Sequence, residues 1–342
     1  MAYQIKVPAS YNVLTGEVAT WEETRIQETT TLKQGMKVLV ATEKPFAKRA
    51  VDGIRAIIEG AGFELALLEK YTDKSQLLEA VADADALIVR SDKVTAEVIA
   101  AAKQLKIVVR AGAGYDNVDL AAATERGIVV MNTPGQNSNA VAELALGMMI
   151  CMARNRFTAG TGSELSGKTL AIHAYGNVGR LVGVKGKALG MRVIAYDPFI
   201  QDAQVFAADG VEQIDTVEAL YKQADYLSLH IPATEQTKNS IGYDLLMTMP
   251  KGATLVNTAR KEVIDEQGLL RALTEREDLK YATDIAPAIQ SELEEKFGKR
   301  VFATPKKMGA ETAEANMNAG LAAANQIVAF FKEGVIRFQV NK

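Results

Sequence analysis

The feature that most constrains the fold of this chain is an alternation of short, uninterrupted apolar runs with stretches of helical length. It begins near Met36 and continues through two successive series of the 342-residue sequence. Apolar runs without polar alternation are typical of parallel strands that helices cover on both faces. The sequence therefore predicts an α/β protein whose parallel strands are joined by right-handed crossovers. At roughly 150 residues per domain, a chain of this length holds about two domains.

The first series predicts five strands, and a second series of five begins at Lys168. The predicted strands are 37–41, 63–68, 86–90, 107–109, 128–131, 169–173, 193–196, 226–229, 254–256 and 281–283. The predicted helices include 46–61, 75–82, 95–102, a long apolar helix at 139–155, and 313–333. Because the long helix is apolar on nearly all sides, we expect it to be buried in a core or between subunits.

The last predicted helix has no partner in the second series, so we expect it to return to the first domain. The nucleotide-binding domain is then an insertion at 138–309, and the substrate domain comprises 36–137 and 310–342. Residues 1–35 form an N-terminal extension of unknown role. In this extension Tyr3, Ile5 and Val7 alternate as in a strand, and Gly16 could mark a turn.

Composition and charge exclude several classes of function. The 39 Lys and Arg residues against 42 Asp and Glu give a net charge of −3, which does not favour nucleic acid or an acidic membrane. Cys151 is the single cysteine, which excludes an internal disulfide and a cysteine metal site and favours a reducing compartment. The longest apolar run, 144–153, is shorter than the about 20 residues of a membrane-spanning helix. With no export signal, we expect a cytoplasmic protein with a small-molecule substrate and no metal.

A glycine turn at the start of the second series predicts a dinucleotide site. Strand 169–173 runs into Ala174-Tyr175-Gly176-Asn177-Val178-Gly179 and then a helix, which is the G-x-G-x-x-G arrangement with alanine in place of the first glycine. The second glycine lets a pyrophosphate approach the backbone, and the third allows helix and strand to pack closely. The helix N-terminus attracts phosphate. Because Ala174 departs from the pattern, the alternative is a fold of this type without a cofactor.

Asp197 ends the next predicted strand, 21 residues after Gly176. A carboxylate at this place accepts hydrogen bonds from a ribose diol and repels a 2′-phosphate. The sequence therefore predicts NAD rather than NADP.

Four segments carry a resemblance to a known family. They are Arg110-Ala111-Gly112-Ala113-Gly114-Tyr115-Asp116-Asn117-Val118-Asp119, Met131-Asn132-Thr133-Pro134-Gly135-Gln136-Asn137, Leu229-His230-Ile231-Pro232 and Val256-Asn257-Thr258-Ala259-Arg260. With them the chain resembles, over 36–342, the D-isomer-specific 2-hydroxyacid dehydrogenases, and among these the short phosphoglycerate dehydrogenases. The resemblance implies two doubly wound parallel-sheet domains, a Rossmann nucleotide domain inserted into a flavodoxin-like substrate domain. It also implies an active site between the domains and a homodimer formed partly by the long helix.

The resemblance implies roles for individual residues. Arg260 falls on the family's catalytic arginine, which holds the substrate carboxylate and polarises the oxygen at C2. Arg90 is the candidate phosphate ligand, with a solvated charge at a strand end as the alternative. The other implied substrate-binding residues are Ser91, Gly112, Ala113 and Gly114. The implied cofactor-binding residues are Tyr175, Gly176, Asn177, Val178, Gly179, Asp197, His230, Pro232, Thr258 and Asp284, of which Asp284 supports the nicotinamide amide.

Two departures from the family pattern concern the chemistry. The family carries a histidine, paired with a glutamate, in a turn that reads Thr304-Pro305-Lys306-Lys307-Met308-Gly309-Ala310 here, and Ile289 occupies the glutamate position. Counting back from Gly309 places Lys307 at the histidine position, whereas counting on from Pro305 gives Lys306. The chain is similar to a subgroup of short phosphoglycerate dehydrogenases with lysine at this position. We therefore expect Lys307 to be the acid–base residue, with burial and Arg260 lowering its pKa from about 10.4. The alternative is a lysine that binds substrate phosphate.

The resemblance implies an NAD-dependent oxidoreductase that interconverts 3-phospho-D-glycerate and 3-phosphohydroxypyruvate, a reaction of serine biosynthesis. A glyoxylate or hydroxypyruvate reductase is one alternative, and a catalytically inactive NAD-binding regulatory protein is another. We expect His173, which ends the first strand of the nucleotide domain, to be structural. His230 matches a family position beside the cofactor, and packing at the strand end is favoured over catalysis for it. Because the chain ends soon after its last predicted helix, we expect no small regulatory domain and no feedback inhibition by serine.

Overall fold

The chain forms two compact units in a computed structural model that describes residues 35–341. The first unit comprises residues up to Asn137 together with those from Thr312 onward, and the second is Ser138–Glu311. The second unit is thus inserted into the first. The strand and turn expected at Tyr3 to Gly16 lie outside the described residues.

The first unit has a five-stranded parallel sheet in the order β2-β1-β3-β4-β5. Its strands are β1 Lys37–Thr42, β2 Glu64–Glu69, β3 Ala86–Val89, β4 Ile107–Arg110 and β5 Val129–Asn132. Its helices are α1 Lys48–Gly60, α2 Lys74–Val81, α3 Ala96–Ala101, α4 Leu120–Glu125 and α12 Ala313–Glu333. This strand order is that of flavodoxin-like sheets.

Helices α1 and α12 cover one face of this sheet. Ile54 and Ile58 of α1 and Ile327 of α12 are fully buried in the same core cluster. Gly320 lets α12 approach α1 closely, since a Cβ atom there would lie 3.0 Å from the Cδ1 atom of Ile54. Helix α12 therefore belongs to the core of the first unit.

The second unit has a seven-stranded parallel sheet in the order β12-β11-β10-β9-β6-β7-β8. Its strands are β6 Thr169–His173, β7 Arg192–Tyr196, β8 Glu212–Gln213, β9 Tyr226–Leu229, β10 Thr254–Asn257, β11 Lys280–Thr283 and β12 Val301–Ala303. Its helices are α5 Ser138–Ala153, α6 Asn177–Ala188, α7 Gln204–Ala208, α8 Val217–Tyr221, α9 Tyr243–Thr248, α10 Glu266–Glu275 and α11 Gln290–Phe297. Counted within the unit, the order 3-2-1-4-5-6 of the Rossmann fold is extended by one strand.

These two sheets confirm the predicted fold class of two doubly wound parallel-sheet domains. The long helix α5 is largely buried in the second unit's own core, where Ala142, Ala145 and Met149 are fully covered. Two strands were missed in the sequence, β8 and β12, because edge strands of two and three residues are too short to show a period. Among residues 35–341, no helix is both long enough and apolar enough to cross a membrane.

Candidate active site

In the second unit, the predicted cofactor-binding residues follow the carboxyl ends of neighbouring parallel strands. The strand order reverses between β6 and β9, which pair in parallel with His173 opposite Leu229. Ligands of open α/β sheets bind in the crevice at such a switch point. The glycine turn follows β6, and His230 follows β9 directly. The sheet itself therefore gathers these residues.

The glycine turn has the backbone conformation that its sequence predicts. Ala174 has a φ of 76°, a left-handed conformation that the missing first glycine would adopt without strain. A Cβ atom on Gly176 would meet nothing within 4 Å, so the backbone is open at this place. A Cβ atom on Gly179 would lie 2.3 Å from the backbone oxygen of Ala174. The second glycine thus leaves room for a ligand, and the third allows helix α6 to approach the turn. Asn177 and Val178 are the first residues of that helix, where amide groups are free to bind phosphate.

The side chain of Tyr175 does not point toward a ligand site, contrary to what its position among the cofactor residues suggested. The residue is fully buried and its ring stacks on Phe206, with centroids 4.9 Å apart. Its hydroxyl donates a hydrogen bond to Asp209 Oδ2 at 2.9 Å. Tyr175 can therefore reach a cofactor only through its backbone.

Two backbone amides hold the Asp197 carboxylate in place. Tyr175 N–H donates to Oδ2 at 2.8 Å, and Phe199 N–H donates to Oδ1 at 2.9 Å. Each oxygen keeps lone pairs for the two hydroxyls of a ribose. Phe199, which we did not single out in the sequence, is 89% exposed two residues after Asp197. An exposed aromatic ring at this place offers a stacking surface for a flat ligand.

The two histidines of the chain lie under this edge of the sheet. His173 is 8% exposed and its Nδ1 lies 3.3 Å from the Tyr221 hydroxyl. The Nε2 atom of His230 lies 2.9 Å from Ser228 Oγ. Burial lowers the pKa of His173 to about 4, and burial together with the nearby His173 lowers the pKa of His230 to about 3. Both rings are therefore neutral at pH 7, which suits packing and hydrogen bonding rather than proton transfer.

Thr258 follows β10 and carries a buried hydroxyl that no described group binds. The residue is 6% exposed, and its Oγ1 has no hydrogen-bond partner among the described residues. A buried hydroxyl without a partner is costly. Pro232, two residues after His230, is exposed, and its carbonyl accepts a hydrogen bond from the Thr237 hydroxyl. The open turn, the anchored Asp197 and the unpaired Thr258 hydroxyl together fit a dinucleotide.

Asn257 explains why the candidate catalytic arginine occurs in an Asn-x-x-Arg segment. Its side chain is fully buried at the end of β10. The Oδ1 atom accepts Ala259 N–H at 3.0 Å, and Nδ2 donates to the Arg260 carbonyl at 2.9 Å. The Arg260 Nη1 atom donates to the Ala259 carbonyl at 2.9 Å. The amide thus closes the turn that carries Arg260, a role that we did not assign from the sequence.

Asp284, at the end of β11, anchors the turn that contains the two lysines. The residue is 1% exposed. Its Oδ1 accepts hydrogen bonds from Thr304 Oγ1 at 2.9 Å and Met308 N–H at 2.7 Å, and its Oδ2 accepts Gly309 N–H at 2.8 Å. A carboxylate has about four lone-pair positions, which leaves one for a cofactor amide. The role of Asp284 toward nicotinamide stays a prediction.

Lys306 and Lys307 are both exposed on this turn. The expected burial of Lys307 in a closed cleft stays a prediction. Ile289 lies at the start of α11 and packs against the unit's core, as an apolar residue in place of glutamate should.

In the first unit, the predicted substrate residues also follow the carboxyl ends of the strands. Arg90 directly follows β3, next to the point between β1 and β3 at which the strand order reverses. Its Nη1 donates to the Lys44 carbonyl at 3.1 Å, and its Nη2 donates to Asn316 Oδ1 at 2.5 Å. The guanidinium carbon lies 5.2 Å from the centre of the Phe46 ring. Ser91, the next residue, is exposed.

Arg110 ends β4, and we did not assign it a role from the sequence. Its Nε donates to the Arg90 carbonyl at 2.9 Å. A Cβ atom on Gly112 would lie 1.7 Å from Arg110 Nη1, and Gly112 has a φ of 151°, so this position requires glycine. The Ala113 carbonyl accepts a hydrogen bond from Asn132, which fixes the loop. Two arginines thus lie at the carboxyl ends of the adjacent strands β3 and β4, beside the loop that continues to Gly114.

Three comparisons with known proteins bear on this site. A family model described as "D-isomer specific 2-hydroxyacid dehydrogenase, catalytic domain" matches residues 38–341. A D-3-phosphoglycerate dehydrogenase of Methanocaldococcus jannaschii is 41% identical over 276 residues, which are 74% of this chain and 51% of that protein. A hydroxypyruvate reductase of Thermotoga maritima is 38% identical over 79% of this chain and 91% of that protein. The chain therefore spans about half the length of the first relative and most of the second.

A solved structure is more similar in sequence. It is a cofactor (NAD+)-bound 3-phosphoglycerate dehydrogenase of Entamoeba histolytica, 51% identical, with a TM-score of 0.79 over 90% of this chain and 99% of that one.

In residues 35–341, no three His, Cys, Asp or Glu side chains are grouped so that they could hold a metal ion.

Proposed function

Because the chain belongs to the D-isomer-specific 2-hydroxyacid dehydrogenase family, we propose that it is an NAD-dependent oxidoreductase that interconverts a D-2-hydroxy acid and its 2-keto acid. The substrate pair is 3-phospho-D-glycerate and 3-phosphohydroxypyruvate. The observation that carries this choice is the fixed guanidinium of Arg90 beside Arg110, in addition to Arg260. A phosphorylated acid has two anionic groups, and separate arginines suit one each.

NAD fits the second unit through residues with distinct roles. The turn at Gly176 receives the pyrophosphate, Asp197 the ribose, and Thr258 supplies its unpaired hydroxyl. A carboxylate at Asp197 disfavours the 2′-phosphate of NADP by charge repulsion. The bound cofactor would supply the hydride chemistry at C2, with NAD+ as the acceptor in oxidation and NADH as the donor in reduction.

Residues of the chain bind the substrate, polarise its reacting oxygen and transfer the proton. Arg260 holds the substrate carboxylate and polarises the oxygen at C2, since a guanidinium binds a carboxylate with two parallel hydrogen bonds. Lys307 moves the proton of the C2 hydroxyl. A lysine with the ordinary pKa of about 10.4 is protonated at neutral pH and is a better acid than base. Proton donation by such an ammonium group belongs to the reduction of the keto acid.

A second candidate is a hydroxypyruvate or glyoxylate reductase on the same fold. The similarity to the Thermotoga maritima hydroxypyruvate reductase over 91% of its length favours it. Such an enzyme has no phosphate to bind, so Arg90 would be dispensable. A catalytically inactive NAD-binding protein would have no use for an arginine held in place by Asn257.

One experiment tests these candidates. Turnover of NADH and NADPH is measured with 3-phosphohydroxypyruvate, hydroxypyruvate, glyoxylate and 2-oxobutyrate under matched conditions. We expect the highest kcat/KM with NADH and 3-phosphohydroxypyruvate. A preference for the unphosphorylated acids would establish the reductase, equal use of NADPH would contradict the role of Asp197, and no turnover of any acid would indicate the inactive protein.

We also propose a cytoplasmic homodimer that associates through the second unit. Ile150, Leu189 and Phe157 are 37%, 40% and 72% exposed, and the first two line one groove of about 250 Å³. Phe157 lies in a turn whose three residues have φ values of 53°, 56° and 59°. Such strain persists only where the surroundings enforce it. Here Arg156 of the turn donates to the Val301 carbonyl at 3.1 Å.

The dimer is tested by sedimentation at micromolar concentration. We expect a dimer for the native chain and a shift toward monomer for Phe157→Ser combined with Leu189→Glu. Phe199→Ser removes another exposed aromatic ring elsewhere in the unit and should leave the sedimentation unchanged. A monomeric native chain would refute the proposal.

A further inference from the structure

We infer that Asn316, in the first turn of α12, is a positioning residue that holds the Arg90 guanidinium for the phosphate group of the substrate. The inference rests on the proposed function, in which Arg90 is the phosphate ligand. Asn316 lies 226 residues from Arg90 in sequence, and no motif of the chain pointed to it. The contact lies within the first unit, because α12 returns to the sheet that contains β3.

Three contacts hold the Arg90 guanidinium in place, two hydrogen bonds and one contact with an aromatic ring. The Lys44 carbonyl accepts from Nη1 at 3.1 Å, and Asn316 Oδ1 accepts from Nη2 at 2.5 Å. The Phe46 ring lies below the guanidinium carbon at 5.2 Å. Asn316 supplies the side-chain acceptor in this set, as the Lys44 contact is to backbone. Without it, the end of a long and flexible side chain would be held by one hydrogen bond and a ring.

The remaining hydrogens of Arg90 are oriented by these contacts. A guanidinium has five N–H donors. Within residues 35–341 it gives two of them to protein acceptors, which leaves three for a ligand. Preorganising a planar donor group removes rotamer entropy that binding would otherwise cost. A phosphate then meets a guanidinium that is already in place.

The chemistry of asparagine suits this role better than that of a carboxylate. An amide oxygen accepts the hydrogen bond of the guanidinium and carries no net charge. A carboxylate at this place would form an ion pair and offset the positive charge that attracts the phosphate. Asn316 thus fixes Arg90 while leaving its charge to the ligand.

The test compares four variants with the native chain: Asn316→Leu, Arg90→Ala, the two combined, and Asn318→Leu as a control. Asn318 is exposed two residues further along the same helix, so its replacement matches the change in side chain and helix position. For each variant, KM and kcat are measured with 3-phosphohydroxypyruvate and with hydroxypyruvate, which lacks the phosphate. Circular dichroism establishes that each variant is folded.

We expect Asn316→Leu to raise KM for the phosphorylated acid by roughly tenfold, the effect of one charge-assisted hydrogen bond, with little change in kcat. KM for hydroxypyruvate and all constants of Asn318→Leu should stay within about twofold of native. In the Arg90→Ala background, Asn316→Leu should add less than about twofold, because a residue that acts through Arg90 has nothing left to position.

Two results would overturn the inference. One is an equal rise in KM for both acids, which would show a general disturbance of the site. The other is an effect of Asn316→Leu that persists at full size without Arg90. If the native chain does not discriminate between the two acids at all, the proposed substrate is wrong, which the native measurements reveal before any variant is made.

Discussion

The proposed acid–base residue is one of two adjacent lysines on the same turn. Lys306 and Lys307 are both exposed, and the turn that carries them is tied to Asp284 by hydrogen bonds from Met308 N–H and Gly309 N–H. The fixed end of the turn therefore lies next to Lys307. We predict that Lys307→Met lowers kcat for keto-acid reduction by roughly 10²–10⁴-fold, the usual contribution of a general acid. Its affinity for NADH, measured by fluorescence titration, should be native.

Lys306→Met is the matched control, since it removes the same group one residue away. Its turnover should stay within about threefold of native, which corresponds to a change of less than about 1.4 kcal/mol in activation free energy. If Lys307→Met raised KM with turnover preserved, Lys307 would be a substrate-binding residue. If Lys306→Met carried the large loss, the alignment counted from Pro305 would be the correct one.

The two glycines of the cofactor turn should separate binding from stability. Gly176→Ala adds a methyl group into open space, so we expect native stability and a weaker affinity for NADH. Gly179→Ala places a methyl group 2.3 Å from the backbone oxygen of Ala174, so it should lower the free energy of unfolding by about 1–3 kcal/mol as well. Thermal unfolding without and with NADH measures both. Equal stability losses in the two variants would contradict this reading of the turn.

At the residue scale, the sequence predicted the positions that depend on local pattern and missed those that depend on distant contacts. The glycine turn and Asp197 follow from spacing along one βαβ unit. Asn316 and Arg90 are 226 residues apart, and Tyr175 turns inward because Phe206 and Asp209 offer it a stack and a hydrogen bond. Such partners are brought together by the fold alone.

At the scale of elements, the long periodic segments were predicted well and the short edge segments were not. Helix α12 has the predicted bounds, whereas the strand-like pairing after it was missed. Val340 N–H donates to the Val130 carbonyl at 2.8 Å, so the segment after α12 runs along the free edge of β5. Covering an edge strand protects its unpaired backbone groups.

Asn341 secures this edge and provides a prediction for the element. It is 5% exposed, its Oδ1 accepts Val130 N–H at 2.7 Å, and its Nδ2 donates to the Ile128 carbonyl at 2.8 Å. We predict that Asn341→Ala lowers the free energy of unfolding of the first unit by about 2–4 kcal/mol, because buried backbone groups lose their partners. Hydrogen exchange at the Val130 amide measures it directly. Glu333→Ala, an exposed change on α12, should leave that exchange rate native.

At the scale of the whole molecule, the order of apolar runs was enough to predict two parallel sheets covered by helices. Right-handed parallel crossovers leave few topologies open, and a last helix without a local partner must return to the first sheet. Which side chains lie next to each other at the edge of a sheet can be known only from the structure. The pairing of β6 with β9 places the two histidines of the chain on neighbouring strands, although 57 residues separate them in the sequence.

These two histidines predict how the stability of the molecule depends on pH. Both histidines have a folded-state pKa below the ordinary value of 6.5, about 4 for His173 and about 3 for His230, chiefly because burial disfavours the charged ring. Their neutral forms stabilise the fold fully above pH 6.5, and that stability is lost as pH falls toward the folded-state values. Between pH 6.5 and 4.5 each histidine should contribute a slope of up to about 1.4 kcal/mol per pH unit.

The measurement is urea unfolding of the native chain and of His173→Gln at intervals from pH 7.5 to 4.5, above the range in which most carboxylates titrate. The native midpoint should fall steadily below pH 6.5. His173→Gln should be less stable at pH 7.5, since it loses the contact with the Tyr221 hydroxyl, yet its midpoint should fall about half as steeply because one titrating ring is gone. Parallel slopes in the two proteins would mean that His173 does not stay neutral in the folded state, and that acid lability arises elsewhere in the molecule.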